Sequence, residues 1–275
     1  MALTTPLYIA KLRPNIVFAR AKREAGHGIC CYVYSRTIFT VKGMAKMMRK
    51  QSGFTLIEIA IVLVIIGLLL GGVLKGQELI TSARVRNLIS QQDGIKAAFF
   101  GFQDRYRALP GDYPAAQATA NIPNVTLGGN GDGQIFNTGA ANEQTIAWTH
   151  LSHAGFLTGS YNMATATDAV SASNTPANTY NAFLQLVYDN VYSITTGDPA
   201  VSTRHNLKTG NQIPVEILTE VDRKIDDSNP GRGTFRFSVY QGAGTAPTAA
   251  TCADGTIANW LTTSGQTNCG ATSLF

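Results

Sequence analysis

From Phe54 to Leu74 the chain runs 21 residues with a single charge, Glu58. At about 1.5 Å of rise per residue a helix of this length spans roughly 31 Å, the thickness of a bilayer's hydrocarbon core. An ionised carboxylate within such a span costs on the order of 2–3 kcal/mol at the membrane centre, so Glu58 is a functional residue in want of a partner. Beyond Leu74, Leu88, Ile95, Phe99, Phe102 and Tyr106 recur at helical spacing and form one stripe, with Lys75, Glu78, Arg84, Arg86, Lys96 and Arg105 as the polar positions among them. The pattern predicts a continuous helix from Phe54 to Arg107, about 80 Å long, stopped by Leu-Pro-Gly-Asp at 109–112. Gly67, Gly71, Gly72 and Gly76 interrupt it in two G-x-x-x-G spacings. Such spacings let helices approach closely in a bilayer, although each glycine costs up to about 1 kcal/mol of helix propensity in water.

The pattern is weaker downstream. Asn142 is placed to cap a helix with Ile146, Trp148, Leu151 and Phe156 on its apolar side. Pro214 suits the first position of a second helix, through Val215, Ile217, Leu218, Val221 and Ile225 to Asp226. Residues 234–240 alternate as a strand after the Asn-Pro-Gly turn at 229–231, and 182–194 reads as one or two strands. Segments 159–180 and 242–268 read as surface loops, and no repeat is present. Three regions follow: a leader at 1–53, the long helix at 54–107, and one globular domain at 108–275. The expected class is α+β, a long helix against a small antiparallel sheet with long loops.

Charge divides the chain at the same boundary. Residues 1–53 carry ten Lys/Arg against Glu24 alone, for a net +9, whereas the remainder carries twelve Lys/Arg against sixteen Asp/Glu, for a net −4. The basic character therefore belongs to the leader, and a nucleic-acid partner is not indicated. Five basic residues lie in the twenty positions before Phe54 and three in the twenty after Leu74. This bias orients the N-terminus to the cytoplasm and the C-terminal domain outward.

The run Gly-Phe-Thr-Leu-Ile-Glu at 53–58, followed by an unbroken apolar helix, resembles the type IV prepilin and pseudopilin family. The resemblance implies a pilin-like fold and cleavage after Gly53 by a prepilin peptidase. It also implies N-methylation of Phe54 and pairing of Glu58 with the N-terminus of a neighbouring subunit in a filament raised from an inner-membrane assembly platform. Its expected location is the inner membrane and then a filament in the periplasm or at the cell surface. RYRALPGDYPAA at 105–116, GNGDGQI at 129–135, WTHLSHAGFLTG at 148–159 and VDRKIDDSNPGRG at 221–233 resemble a subgroup of these proteins with a similar outer domain. Three roles stay open: a type II secretion pseudopilin, a type IV pilus subunit, and a membrane-anchored exported binding protein or enzyme. Starting at Met44 gives a ten-residue leader of family type, so residues 1–43 are either an extended leader or a misassigned start.

Cys252 and Cys269 fall in the exported domain, where disulfides persist, and many pilins close a C-terminal loop with such a pair. A bridge there contributes roughly 3 kcal/mol in the chain-entropy description. Cys30 and Cys31 precede the membrane run and are expected to stay reduced. In GNGDGQI, Asn130, Asp132 and Gln134 alternate as oxygen ligands do in a calcium loop, with Gly133 for the turn and Ile135 as the anchor. Gly128 and Gly139 stand where acidic ligands belong, leaving Asp112 or Glu143 to supply carboxylates, and a metal-free Asn/Gly turn is the competing reading. Asp226 and Asp227 read as a helix C-terminal turn, with a metal site as the alternative. His150 and His153 have the spacing of a zinc pair but no third ligand at a recognisable distance, so packed or solvated histidines are the favoured reading. No phosphate loop, nucleophile elbow or dinucleotide fingerprint is present, and the chain does not read as an enzyme.

Overall fold

The computed structural model describes residues 53–192, 194, 201–255 and 259–275. Residues 1–52, with the leader, the Met44 start and Cys30/Cys31, lie outside the described residues. The chain divides into two units, Met1–Phe54 and Thr55–Phe275, and the fold below is that of the second.

Helix α1 is Leu56–Tyr106, 51 residues long. Thr55 caps it, and Arg107 ends it in the left-handed region at φ 53°, its N–H donating to Gln103 O at 2.9 Å. The stop therefore comes just before the Pro-Gly turn. Two different environments meet along this helix. Up to Arg84 no side chain is buried, whereas Val85, Leu88, Gln92, Ile95, Ala98, Phe99 and Phe102 form a buried stripe at three- and four-residue steps.

The outer domain adds α2 (Ala115–Asn121), α3 (Glu143–His153), β1 (Gln185–Asp189), β2 (Arg204–Lys208), α4 (Val215–Ile225), β3 (Phe235–Phe237), α5 (Ala249–Cys252), β4 (Ala253–Asp254), β5 (Asn259–Trp260) and β6 (Ala271–Leu274). Four strands form one antiparallel sheet in the order β1-β2-β6-β3, and β4 and β5 form a separate pair. The fold is thus α+β: a long apolar N-terminal helix packed on a small antiparallel sheet. One core gathers Ile95, Phe99 and Phe102 with Trp148, Leu151, Leu184, Leu186 and Leu207. A second gathers Val85 and Leu88 with Leu218, Val221, Phe235, Phe237 and Trp260.

Several boundaries differ from the sequence pattern for local reasons. Pro214 occupies the N-cap of α4, one position before the first helical residue, with φ −57° and ψ 138°. Phe156 lies beyond α3, because Gly155 takes φ 82° and turns the chain back so that the Phe156 N–H reaches Leu151 O. The strand at 234–240 shortens to β3: Ser238 N–H still reaches Gly270 O in register, after which the Ser238 hydroxyl accepts from Tyr240 N–H. Among the described residues of 182–194 one strand forms, β1, and its partner β2 comes from polar Arg-His-Asn-Leu-Lys. That strand stays buried because Lys208 pairs with Asp189 at 2.9 Å and Asn206 bonds both Asp189 and Thr272. The segment 242–268 is not a surface loop. It carries α5, β4 and β5 and buries Cys252, Ala253 and Trp260.

Candidate processing and assembly site

Gly53 and Phe54 precede the helix, outside any helical turn, and Phe54 is exposed. Helix formation starts at Leu56 because Thr55 and Glu58 form a capping box. The Thr55 N–H and hydroxyl both donate to Glu58 Oε2 at 2.8 Å, and the Glu58 N–H donates back to Thr55 Oγ1 at 3.3 Å. Thr-x-x-Glu before an apolar run is a readable start signal. Thr55 is therefore the one residue of this site that its side-chain pattern identified without being singled out above. The box starts the helix at Leu56 and so leaves the Gly53–Phe54 peptide bond outside it.

Beyond the box, Leu56, Ile57, Leu63, Leu68, Leu69, Leu74 and the apolar residues among them are all exposed. Helix α1 is long and apolar enough to cross a membrane, by length and composition. A methyl group added at Gly67, Gly71, Gly72 or Gly76 would meet nothing within 4 Å. This chain's own packing therefore gives no reason for glycine there, at positions where alanine would favour the helix by up to about 1 kcal/mol each.

Residues 48–74 match the prokaryotic N-terminal methylation motif. No curated protein and no solved structure matches the chain. This prepilin-type signal covers Gly53 and Phe54 and runs to the end of the apolar run at Leu74. It marks a pilin-like protein that is processed at its N-terminus and anchored through its apolar helix, and it points to a structural subunit in place of an enzyme.

The other sequence-selected residues lie in the outer domain. Asp112 and Glu143 do converge on the loop at 130–136. Asp112 Oδ1 accepts from the N–H groups of Gly131 (2.7 Å) and Asp132 (3.0 Å), and its Oδ2 from Gly133 (2.9 Å). Glu143 accepts from Asn130 N–H at 3.1 Å and Phe136 N–H at 3.2 Å. Burial raises the Glu143 carboxyl, these two bonds oppose the rise, and the neighbouring Asp112 and Asp132 add to it. Asn130 Oδ1 and Asp132 Oδ1 accept from the N–H groups of Asp132 and Gln134, so the backbone N–H groups of the loop close around side-chain oxygens. Gly129 is required here, because a Cβ would stand 2.5 Å from Gly111 O and 2.6 Å from Glu143 Oε1.

His150 and His153 are not brought together on a third ligand. His150 accepts from Gly111 N–H through Nδ1 at 3.0 Å, and its Nε2 donates to Leu127 O at 2.9 Å. His153 instead lies against Pro123 O and the Asn162 side chain. Cys252 and Cys269 form a disulfide, both fully buried.

Proposed function

We propose that the chain is a filament subunit of the type IV pilus or secretion-pseudopilus kind. In this reading it enters the inner membrane with its N-terminus in the cytoplasm, a prepilin peptidase cuts after Gly53, and Phe54 becomes the N-methylated terminus. An assembly platform then draws the subunit into a filament with copies of itself or similar subunits. The observation that carries the reading is the methylation motif lying on a helix whose first half is bare while its second half holds the outer domain. A bare apolar half needs lipid before assembly and neighbouring helices after it. Glu58 is left in that half with one oxygen engaged by Thr55 among the described residues, and a cationic N-terminus beside it would offset the cost of its charge.

Glu58 has two separable roles in this account, capping and charge. Glu58→Gln keeps a capping-box acceptor and removes the charge, whereas Glu58→Leu removes both. All of these chains are expected to insert and to yield a peptide beginning at methylated Phe54 in mass spectrometry, with Gly53→Ala blocking that cut. Filament incorporation is expected to fall about tenfold or more for Glu58→Gln as well as Glu58→Leu, in keeping with the cost of an unpaired membrane charge partner. Normal incorporation of Glu58→Gln would remove the charge role, and an uncut leader in cells with active prepilin peptidase would remove the whole reading.

A further inference from the structure

At the C-terminal end of α4, Asp222, Asp226 and Asp227 each place a carboxylate oxygen within 4.8 Å of the other two. This is the negative end of the helix dipole, where carboxylates are disfavoured and cations favoured. Asp222 is fully buried; its Oδ2 accepts from the Trp260 indole N–H at 2.7 Å, and the Ser228 backbone N–H acts on the carboxyl from nearby. Its Oδ1 is buried with no hydrogen-bond partner among the described residues. Buried polar atoms are nearly always satisfied, and an orphaned carboxylate oxygen inside a cluster of like charge calls for a positive partner.

Among the described residues no neighbouring cation reaches these carboxylates at salt-bridge distance. Asp226 Oδ2 accepts from Thr234 N–H and from Phe235 N–H at 2.9 Å, and Asp227 Oδ1 from Asn229 N–H at 2.9 Å. These bonds orient the two carboxylates without neutralising them. Lys96 on α1 acts on Asp226 through its charge, yet none of the three acids has a salt bridge among the described residues. Arg223, in the last turn of α4, is turned to Glu220. Burial is the main cause that pushes the Asp222 carboxyl up to about 6; the Trp260 bond and the Ser228 backbone oppose the rise, and Asp226 and Asp227 add to it.

We propose that Asp222, Asp226 and Asp227 bind a calcium ion. The donors are carboxylate oxygens with no His or Cys among them, which selects a hard divalent cation over zinc or copper. Three acids on a helix end and the turn after it form an irregular, adaptable set, with waters and carbonyls free to complete six to eight ligands. That suits Ca²⁺ better than Mg²⁺, which demands a near-ideal octahedron and sheds water reluctantly. The loop at 130–136 is the weaker candidate, because both oxygens of Asp112 and both of Glu143 already accept from backbone N–H groups, whereas Asp226 and Asp227 each engage one oxygen in this way. The bound ion would tie the end of α4 to β5 through Asp222 and Trp260, and to the start of β3 through Asp226.

Because Trp260 touches a ligand, Tb³⁺ in the site should be sensitised by tryptophan excitation. The test uses the full chain in detergent, loaded with Tb³⁺ and then titrated with Ca²⁺. Expected are Tb³⁺ emission that Ca²⁺ displaces and a higher melting temperature in Ca²⁺ than in chelator. Both Asp222→Asn and Asp227→Asn are expected to weaken Ca²⁺ affinity about tenfold or more, with Asp132→Ala unchanged. The exposed Asp227 makes its variant safe for folding. Unaltered affinity in Asp227→Asn, loss of binding in Asp132→Ala instead, or the absence of any Ca²⁺-sensitive emission would each overturn the site. The outcome is independent of whether the chain enters filaments.

Discussion

His150 shows how a single buried side chain sets an acid limit on the domain. Its ring lies flat on Phe102, at 6.0 Å between centroids and 7° between planes, with both nitrogens bonded to backbone groups. Burial is the main cause that pulls it down to about 4, with the Leu127 carbonyl opposing and His153 adding to the fall. The unfolded chain, titrating near 6.5, takes up the proton first, so the stabilisation is complete above that pH and is lost as pH falls toward about 4. The loss should reach about 3 kcal/mol, measurable by urea unfolding at pH 7 and at pH 4.5, and His150→Gln should flatten the difference. An equal slope in that variant would place the acid sensitivity elsewhere. A pattern that rests on near neighbours was legible: Gly53, Phe54 and Glu58 sit in one hexapeptide inside the matched methylation motif. What holds His150 was not, because its partners Gly111 and Leu127 are 39 and 23 residues away; the sequence favoured a packed or solvated ring over a zinc pair without naming those partners.

Helix α1 is one piece of secondary structure but two elements in packing. Leu69 and Leu88 have the same side chain, yet Leu69 is 63% exposed and Leu88 2%. Leu88→Ala is expected to destabilise the outer domain by about 2–5 kcal/mol, whereas Leu69→Ala should leave its unfolding unchanged. Chemical unfolding of the mature chain in detergent reads both, and an equal effect at the two positions would show the halves to be one cooperative unit. The amphipathic α4 was legible because its apolar residues follow the helical period throughout, as was the stripe of α1. Strands β2 and β6 were hidden for a physical reason. Asn206, Lys208, Thr272 and Ser273 are buried polar residues, three of them satisfied by cross-strand bonds, so no apolar alternation remained to be read.

At the scale of the whole molecule, the two cores share α1 and meet at a sheet only four strands wide. The Cys252–Cys269 bridge joins α5 to the segment leading into β6, where Cys269 exchanges backbone bonds with Ile213. Closing this loop should contribute about 3 kcal/mol, so reductant is expected to lower the urea midpoint once the buried sulfurs are reached. An unchanged midpoint with both thiols free would show that the second core holds without the link. A further consequence lies in the order of the strands. β6 sits inside the sheet, with β2 on one side and β3 on the other, although both precede it in the chain. While a chain is threaded through a membrane from its N-terminal end, β1 and β2 must wait with an open edge, and β3 has no sheet to join. If the domain crosses in that order, as the proposed export implies, the β1–β2 pair and β3 are joined into one sheet only when residues 271–274 arrive.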